Sequence, residues 1–250
     1  MTGMLGLFGL SYEFRWSVLW AEPHLTWLFN GLSTTLRLAA ISWLLAVSFG
    51  ILFGAMRTVS FRPVRATATV YVEFFRNVPL LVWLFFWYFG APEVFPEVVK
   101  QWFIRHGIEF WSGVAAIGIY HGARLAEVIR SGIQAIPKTQ LEAGLSSGLS
   151  VAETYRLILI PVALRLIVPP ATNESLNLLK NTSLAMTIGV AELTFATRQI
   201  ETYTAKAVEA LTAAALIYLI LCLSIAAIMN RVERKYAIPG LIVRGTGAEH

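Results

Sequence analysis

The sequence predicts an all-α membrane protein, and three observations carry that prediction. Two stretches, Leu38 to Met56 and Ala210 to Met229, hold no charge over about the 20 residues that a bilayer core demands. The chain is 56% hydrophobic and only 14% charged, with mean hydropathy +0.64. Its 20 Lys+Arg against 15 Asp+Glu leave a net charge of +5. That excess gathers on alternate connectors, as the positive-inside rule requires of a multi-pass chain, and forms no nucleic-acid surface. No Ser/Gly-rich linker, low-complexity tract or internal repeat divides the sequence, so residues 1–250 read as a single transmembrane domain.

Residues 1–30 form the first element. They lack a basic region leading into an apolar core and a small-residue cleavage site, so a removable signal peptide is not expected. Phe8, Phe14, Trp16, Trp20 and Trp27 suit an external segment at the outer membrane interface, and equally the packing of an N-terminal helix. The first span, Leu38 to Met56, holds Gly50 and Gly54 as a GxxxG pair that permits close helix approach, ordinarily within one chain. Arg57, Arg62 and Arg65 follow it and mark the cytoplasmic side. The second span, Ala66 to Phe89, carries Glu73 and Arg76, neighbours on one helix face that can neutralise each other. Pro79 then removes a backbone hydrogen bond and predicts a kink. Glu73, Arg76 and Pro79 fit a gate element and fit a structural ion pair beside a kink about equally.

The segment Pro92 to Phe110 sets Glu93, Glu97 and Glu109 against Lys100 and Arg105, which fits the outside. The third span, Trp111 to Ile129, places Arg124 near its middle. An Arg there costs roughly 2.5–3.5 kcal/mol on insertion scales and needs a partner or a wet cavity. Glu127, one turn away, is the expected partner.

The fourth stretch, Leu157 to about Val190, is polar in its middle. Pro169 and Pro170 predict a broken helix. Asn173, Glu174, Asn177, Lys180, Asn181, Thr182 and Ser183 follow at membrane depth, a density tolerated only where it lines a cavity or is buried in protein. A break over Asn181 to Ser183 predicts a half-helix from Leu184 whose free N–H groups can hold an anion. Alternatively Lys180 and Glu174, six apart, tie neighbouring helices together. The last span runs into Arg231, Arg234, Lys235 and Arg244, so residues 231–250 read as a cytoplasmic tail and the N-terminus as external. Cys222, the single cysteine, lies inside that span as inert filler.

Between the third and fourth spans lies a polar segment, residues 135–160, that reads as two short helices meeting at a sharp turn. Pro137 suits a first helical position, Gly148 a left-handed stop, and Ser150 with Glu153 a capping box. The order Glu142, Ala143, Gly144, three residues, Gly148, nine residues, Ile158, one residue, Ile160-Pro161 resembles the EAA loop of bacterial ATP-binding-cassette import permeases. That pattern has Ala where Gly144 stands and Leu where Ile160 stands. The resemblance implies that the hairpin docks into a groove on a separate ATPase, through Glu142, Ala143, Gly144, Leu145, Gly148 and Pro161.

The resemblance extends from about Gly31 to Glu192, because the second span, TVYVEFFRNVPL, matches the Y-x-E-x-F-R-x-x-P-L segment of the polar amino acid subfamily. Relatives there have Tyr where Arg124 stands, and K-D-T-S-L where this chain reads Lys180-Asn181-Thr182-Ser183-Leu184. One added cation and one removed carboxylate favour an acidic solute. A unit charge near 4 Å is worth about 4 kcal/mol at intermediate dielectric. The chain thus looks like the permease subunit of a glutamate/aspartate importer of type I fold: five transmembrane helices and a cytoplasmic coupling-helix hairpin. Arg124, Lys180, Asn181, Thr182 and Ser183 are the implied solute contacts, with Glu73, Arg76, Pro79 and Glu127 as gating or structural residues.

The same resemblance implies the bacterial inner membrane, two ATPase subunits, a second permease subunit that is identical or paralogous, and a periplasmic solute-binding protein. ATP and Mg would belong to the ATPases, since the chain has no phosphate loop, no GxGxxG after a strand and no Cys/His cluster. His24, His106, His121 and His250 are scattered. No catalysis, resident cofactor or nucleic-acid partner is expected. Other polar amino acids, glutamine or basic ones, remain open as solutes. Glu127, Glu174 and Lys180 would also suit an ion-coupled secondary transporter, a class that usually shows internal repeats. Ser183 with Lys180 could pair as nucleophile and base, without an evident third orienting group.

Overall fold

The computed structural model describes residues 12–236. Phe8 of the expected interfacial segment, and Arg244 and His250 of the tail, lie outside the described residues. Among the described residues every regular element is helical. A 3-10 turn, Trp16–Leu19, precedes α1 (His24–Met56), α2 (Arg62–Arg76), α3 (Leu80–Val94) and α4 (Glu97–His106). Then come α5 (Ile108–Gln134), α6 (Lys138–Ser146), α7 (residues 151–181), α8 (Leu193–Thr204) and α9 (Ala207–Tyr236). Both α3 and α7 contain one π turn, Phe86–Gly90 and Tyr155–Leu159.

By length and hydropathy α1 and α9 can each cross a bilayer, and α2 with α3 makes a third crossing if that bent pair is one span. The bend is 100°. It falls where Pro79 has extended backbone, so α2 stops at Arg76 and α3 restarts at Leu80. Trp83 Nε1 donates to the Phe75 carbonyl at 3.3 Å, satisfying an acceptor stranded by the break. Glu73 and Arg76 do not pair there: Asn77 Nδ2 donates to Glu73 at 3.2 Å, and both charges turn toward other helices.

The main seam joins α1 and α5, where small residues let backbones approach. A Cβ added at Gly50 would come within 2.9 Å of Leu125, and one at Gly54 within 2.9 Å of Ile129. The GxxxG pair thus serves packing inside the chain. Leu38, Leu84, Ile117 and Leu178 are buried around this seam with Trp83 and Val190. A smaller core of Leu28, Leu193, Ile200 and Ala210 holds α8 against α1 and α9.

Two expectations for the fourth stretch need correction. Pro169 and Pro170 sit inside α7, and the helix continues through them to Asn181. A proline's φ fits a helix; its costs are a lost N–H and a crowded carbonyl. Packing on α5 grips α7 on both sides of the prolines, at Ile167 against Gly132 and at Glu174 against Arg124.

The second correction concerns the half-helix. A 3-10 stretch, Thr182–Ile188, follows and ends at Gly189, whose φ of 88° is left-handed. The next helix starts at Leu193, not near Leu184, and its first N–H groups are already taken. Glu192, fully buried, accepts from Thr194 N and Phe195 N at 2.9 and 2.8 Å and from the Tyr218 hydroxyl at 2.8 Å.

Candidate functional site

The polar residues of α5 and α7 meet in one ladder. Arg124 donates through Nε and Nη2 to the two oxygens of Glu174, at 2.9 and 3.0 Å. Glu174 Oε2 lies 3.2 Å from His121 Nδ1, and His121 Nε2 lies 3.0 Å from Asn181 Nδ2. With the amide nitrogen facing it, Nε2 must accept. Nδ1 then carries the single ring proton and donates to Glu174. The order is Asn181, His121, Glu174, Arg124, each link charge-assisted or oriented by the next.

Burial grades along the ladder. His121 is fully buried and the Glu174 side chain only 9% exposed, whereas the Arg124 side chain is 38% exposed. Tyr120 lies beneath the guanidinium at 5.9 Å. The guanidinium thus meets Glu174 through Nε and Nη2 and remains partly exposed. Sequence spacing offers Glu127 as the partner of Arg124. The tertiary fold instead pairs it with Glu174, fifty positions away.

Glu127 is engaged elsewhere. It forms ion pairs with Arg57 and Arg130 and lies 3.7 Å from Arg76, while Arg57 also reaches Glu73 at 3.9 Å. Ends of α1, α2 and α5 are thereby clamped on one carboxylate. The roles of Arg57 and His121 escape a reading of the sequence. His121 precedes Arg124 by one turn, a spacing that places both on one face of α5; Arg57 leaves no comparable signal.

On α7, Asn173, Asn177 and Lys180 are exposed and recur at helical spacing. Lys180 has no charged partner among the described residues, and the tie to Glu174 does not form. Thr182 is buried with its hydroxyl on Leu179 O at 2.7 Å. Ser183 donates to the Lys180 carbonyl at 2.7 Å, so its proton is held by backbone and not by an amine.

The polar segment after α5 folds as two helices. Pro137 is the N-cap residue of α6, Gly148 takes φ 86°, and Ser150 and Glu153 make the reciprocal capping box that opens α7. Glu142, Ala143 and Leu145 are not buried, while Gly144 is buried against Thr154. Pro161 is half-buried in the first turns of α7 beyond the π turn.

Residues 46–238 match the family described as binding-protein-dependent transport system inner membrane component. The chain belongs to that family. It is similar to the glutamate/aspartate import permease protein GltJ of Escherichia coli strain K12, with 36% identity over 92% of this chain and 98% of the relative. The glutamine transport system permease protein GlnP of the same strain is 34% identical over 90% and 99%. A crystal structure of an amino acid ABC transporter with histidines aligns with TM-score 0.75 and 30% identity, covering 90% of this chain and 100% of that one. The inward-facing methionine ABC transporter MetNI shares the fold at TM-score 0.66 and 19% identity, over 87% and 100%. As an inner membrane component of a binding-protein-dependent system, the chain is a transport subunit.

Proposed function

We propose that this chain is the membrane-spanning permease subunit of an ATP-driven amino acid importer that carries glutamate or aspartate. The observation that carries the reading is the partly exposed Arg124 bound to Glu174 of α7, a helix that also exposes Asn173, Asn177 and Lys180. Such groups at membrane depth require water or a polar solute. Names borne by similar chains, import permeases for glutamate/aspartate and for glutamine, support the solute class.

Five spans follow in this reading: α1, the bent α2–α3 pair, α5, α7 beyond the hairpin and α9, with the N-terminus outside and the C-terminus cytoplasmic. Glu142, Ala143 and Leu145 of α6 dock on one of two ATPase subunits, with Gly148 and Pro161 shaping the hairpin. ATP and Mg bind those subunits. A second permease subunit completes the path, and an external binding protein delivers solute. Arg124, Lys180, Asn181, Thr182 and Ser183 face or shape the path, and Glu73, Arg76, Pro79 and Glu127 act at its cytoplasmic end.

A second solute is favoured by one specific observation. Glu174 already neutralises Arg124, so a neutral amino acid such as glutamine fits the ladder too. Reconstituting the permease with its ATPase and binding protein in vesicles tests both. Uptake of labelled glutamate that needs ATP and survives an uncoupler supports the proposal. Uptake that persists without ATP and collapses with the uncoupler sinks it in favour of an ion-coupled carrier, and preference for glutamine corrects the solute.

A further inference from the structure

By sequence, amide in place of carboxylate at position 181 is expected to shift the charge of the path. In the structure residue 181 does not face the path alone, because its amide is bonded to the buried His121 ring. A neutral imidazole linked to an amide at Nε2 and a carboxylate at Nδ1 is a satisfied, uncharged link. With a carboxylate at position 181 the ring would stand between two acceptors, that new carboxylate and Glu174, and each would demand an N–H. Only imidazolium supplies both. The added negative charge is then matched by an added positive one.

We propose that His121 is a specificity-positioning residue that buffers the charge of the solute path, so that residue 181 alters charge selectivity only when His121 cannot take up a proton. The inference rests on the reading of the ladder as part of the solute path. Charged groups acting on the ring are Glu174 and Arg124. From α2, the Tyr71 hydroxyl is committed to the Ile119 carbonyl at 2.8 Å. On α1, His24 bonds Val18 O and Arg37 bonds Ser33 O. Among the described residues the ring's side-chain hydrogen-bond partners are Glu174 and Asn181. The site as a whole then keeps the same net charge.

The test is a double-mutant cycle in the assembled importer, with the ratio of glutamate to glutamine uptake as readout. Asn181→Asp alone is expected to change the ratio less than about twofold. Combined with His121→Gln, it is expected to lower the ratio about tenfold, because the new carboxylate lies unmatched near the path. An equal drop in Asn181→Asp with and without His121 overturns the proposal and leaves the path reading standing. A ratio indifferent to the double variant overturns both. Independently of transport, and in case the double variant fails to fold, nitrogen NMR of labelled histidine in the Asn181→Asp complex is expected to show imidazolium for His121. The parent complex is expected to show the neutral Nδ1–H tautomer. A neutral ring in Asn181→Asp overturns the buffering.

Discussion

Gly144 packs so tightly on Thr154 that a methyl group added at the glycine would lie 2.4 Å from the threonine Cγ2. This contact closes the hairpin between α6 and α7, and it accounts for glycine at the second alanine of the EAA pattern. Gly144→Ala is therefore expected to destabilise the hairpin by about 1–3 kcal/mol. The threonine must turn away from its bond to Ser150 O at 2.9 Å to make room. Hydrogen exchange across residues 138–158 reads the loss, and adding Thr154→Ala is expected to restore most of the protection. No recovery in the double variant would mean that the contact is not what rejects alanine.

Glu174 holds the charge of Arg124 in check. Glu174→Gln leaves a donor and acceptor of similar shape but frees a full positive charge beside the exposed α7 face. The glutamate to glutamine uptake ratio is expected to rise about tenfold. Arg124→Tyr is expected to move it the other way, since the Glu174 carboxylate then has no cation. Competition uptake in vesicles measures both, and shifts of the same sign would refute the pairing as a selectivity device.

The three arginines around Glu127 predict a charge-dependent loss of stability. In Glu127→Gln, Arg57, Arg76 and Arg130 face one another, and among the described residues only Glu73 pairs with any of them. The cluster is partly exposed, so a loss of about 1–3 kcal/mol is expected, less than for a fully buried pair. Raising the salt concentration should recover part of it by screening. Thermal unfolding of the purified complex at low and high salt measures this; a loss that ignores salt would point to packing instead.

The capping box gives a pH dependence with a definite sign. Glu153 accepts from the Ser150 hydroxyl and N–H at 2.7 and 2.8 Å, and these bonds hold its carboxyl below the usual range. Because the folded value is depressed, the cap's contribution is complete above the unfolded Glu value, about 4.3. It is lost as pH falls through the depressed one. Protection factors for residues 150–154 should fall over that acid range in the native chain. They should stay flat in Glu153→Gln, whose amide still caps.

What the sequence determined was local. The bend at Pro79, the left-handed stop at Gly148 and the Ser150–Glu153 cap each depend on groups within about four residues, and each is present. Long charge-free stretches likewise marked α1 and α9, because bilayer crossing is decided by length and composition. Tertiary structure decided everything that required a distant neighbour. Arg124 found Glu174 and Glu127 found Arg57 because α1, α5 and α7 pack side by side. A charge at membrane depth takes the best-solvated partner that packing brings near it, not the nearest in sequence. Pro169 and Pro170 were absorbed by a helix gripped on both sides. The next helix waited for Glu192, a buried carboxylate whose N–H partners and tyrosine come from separate elements.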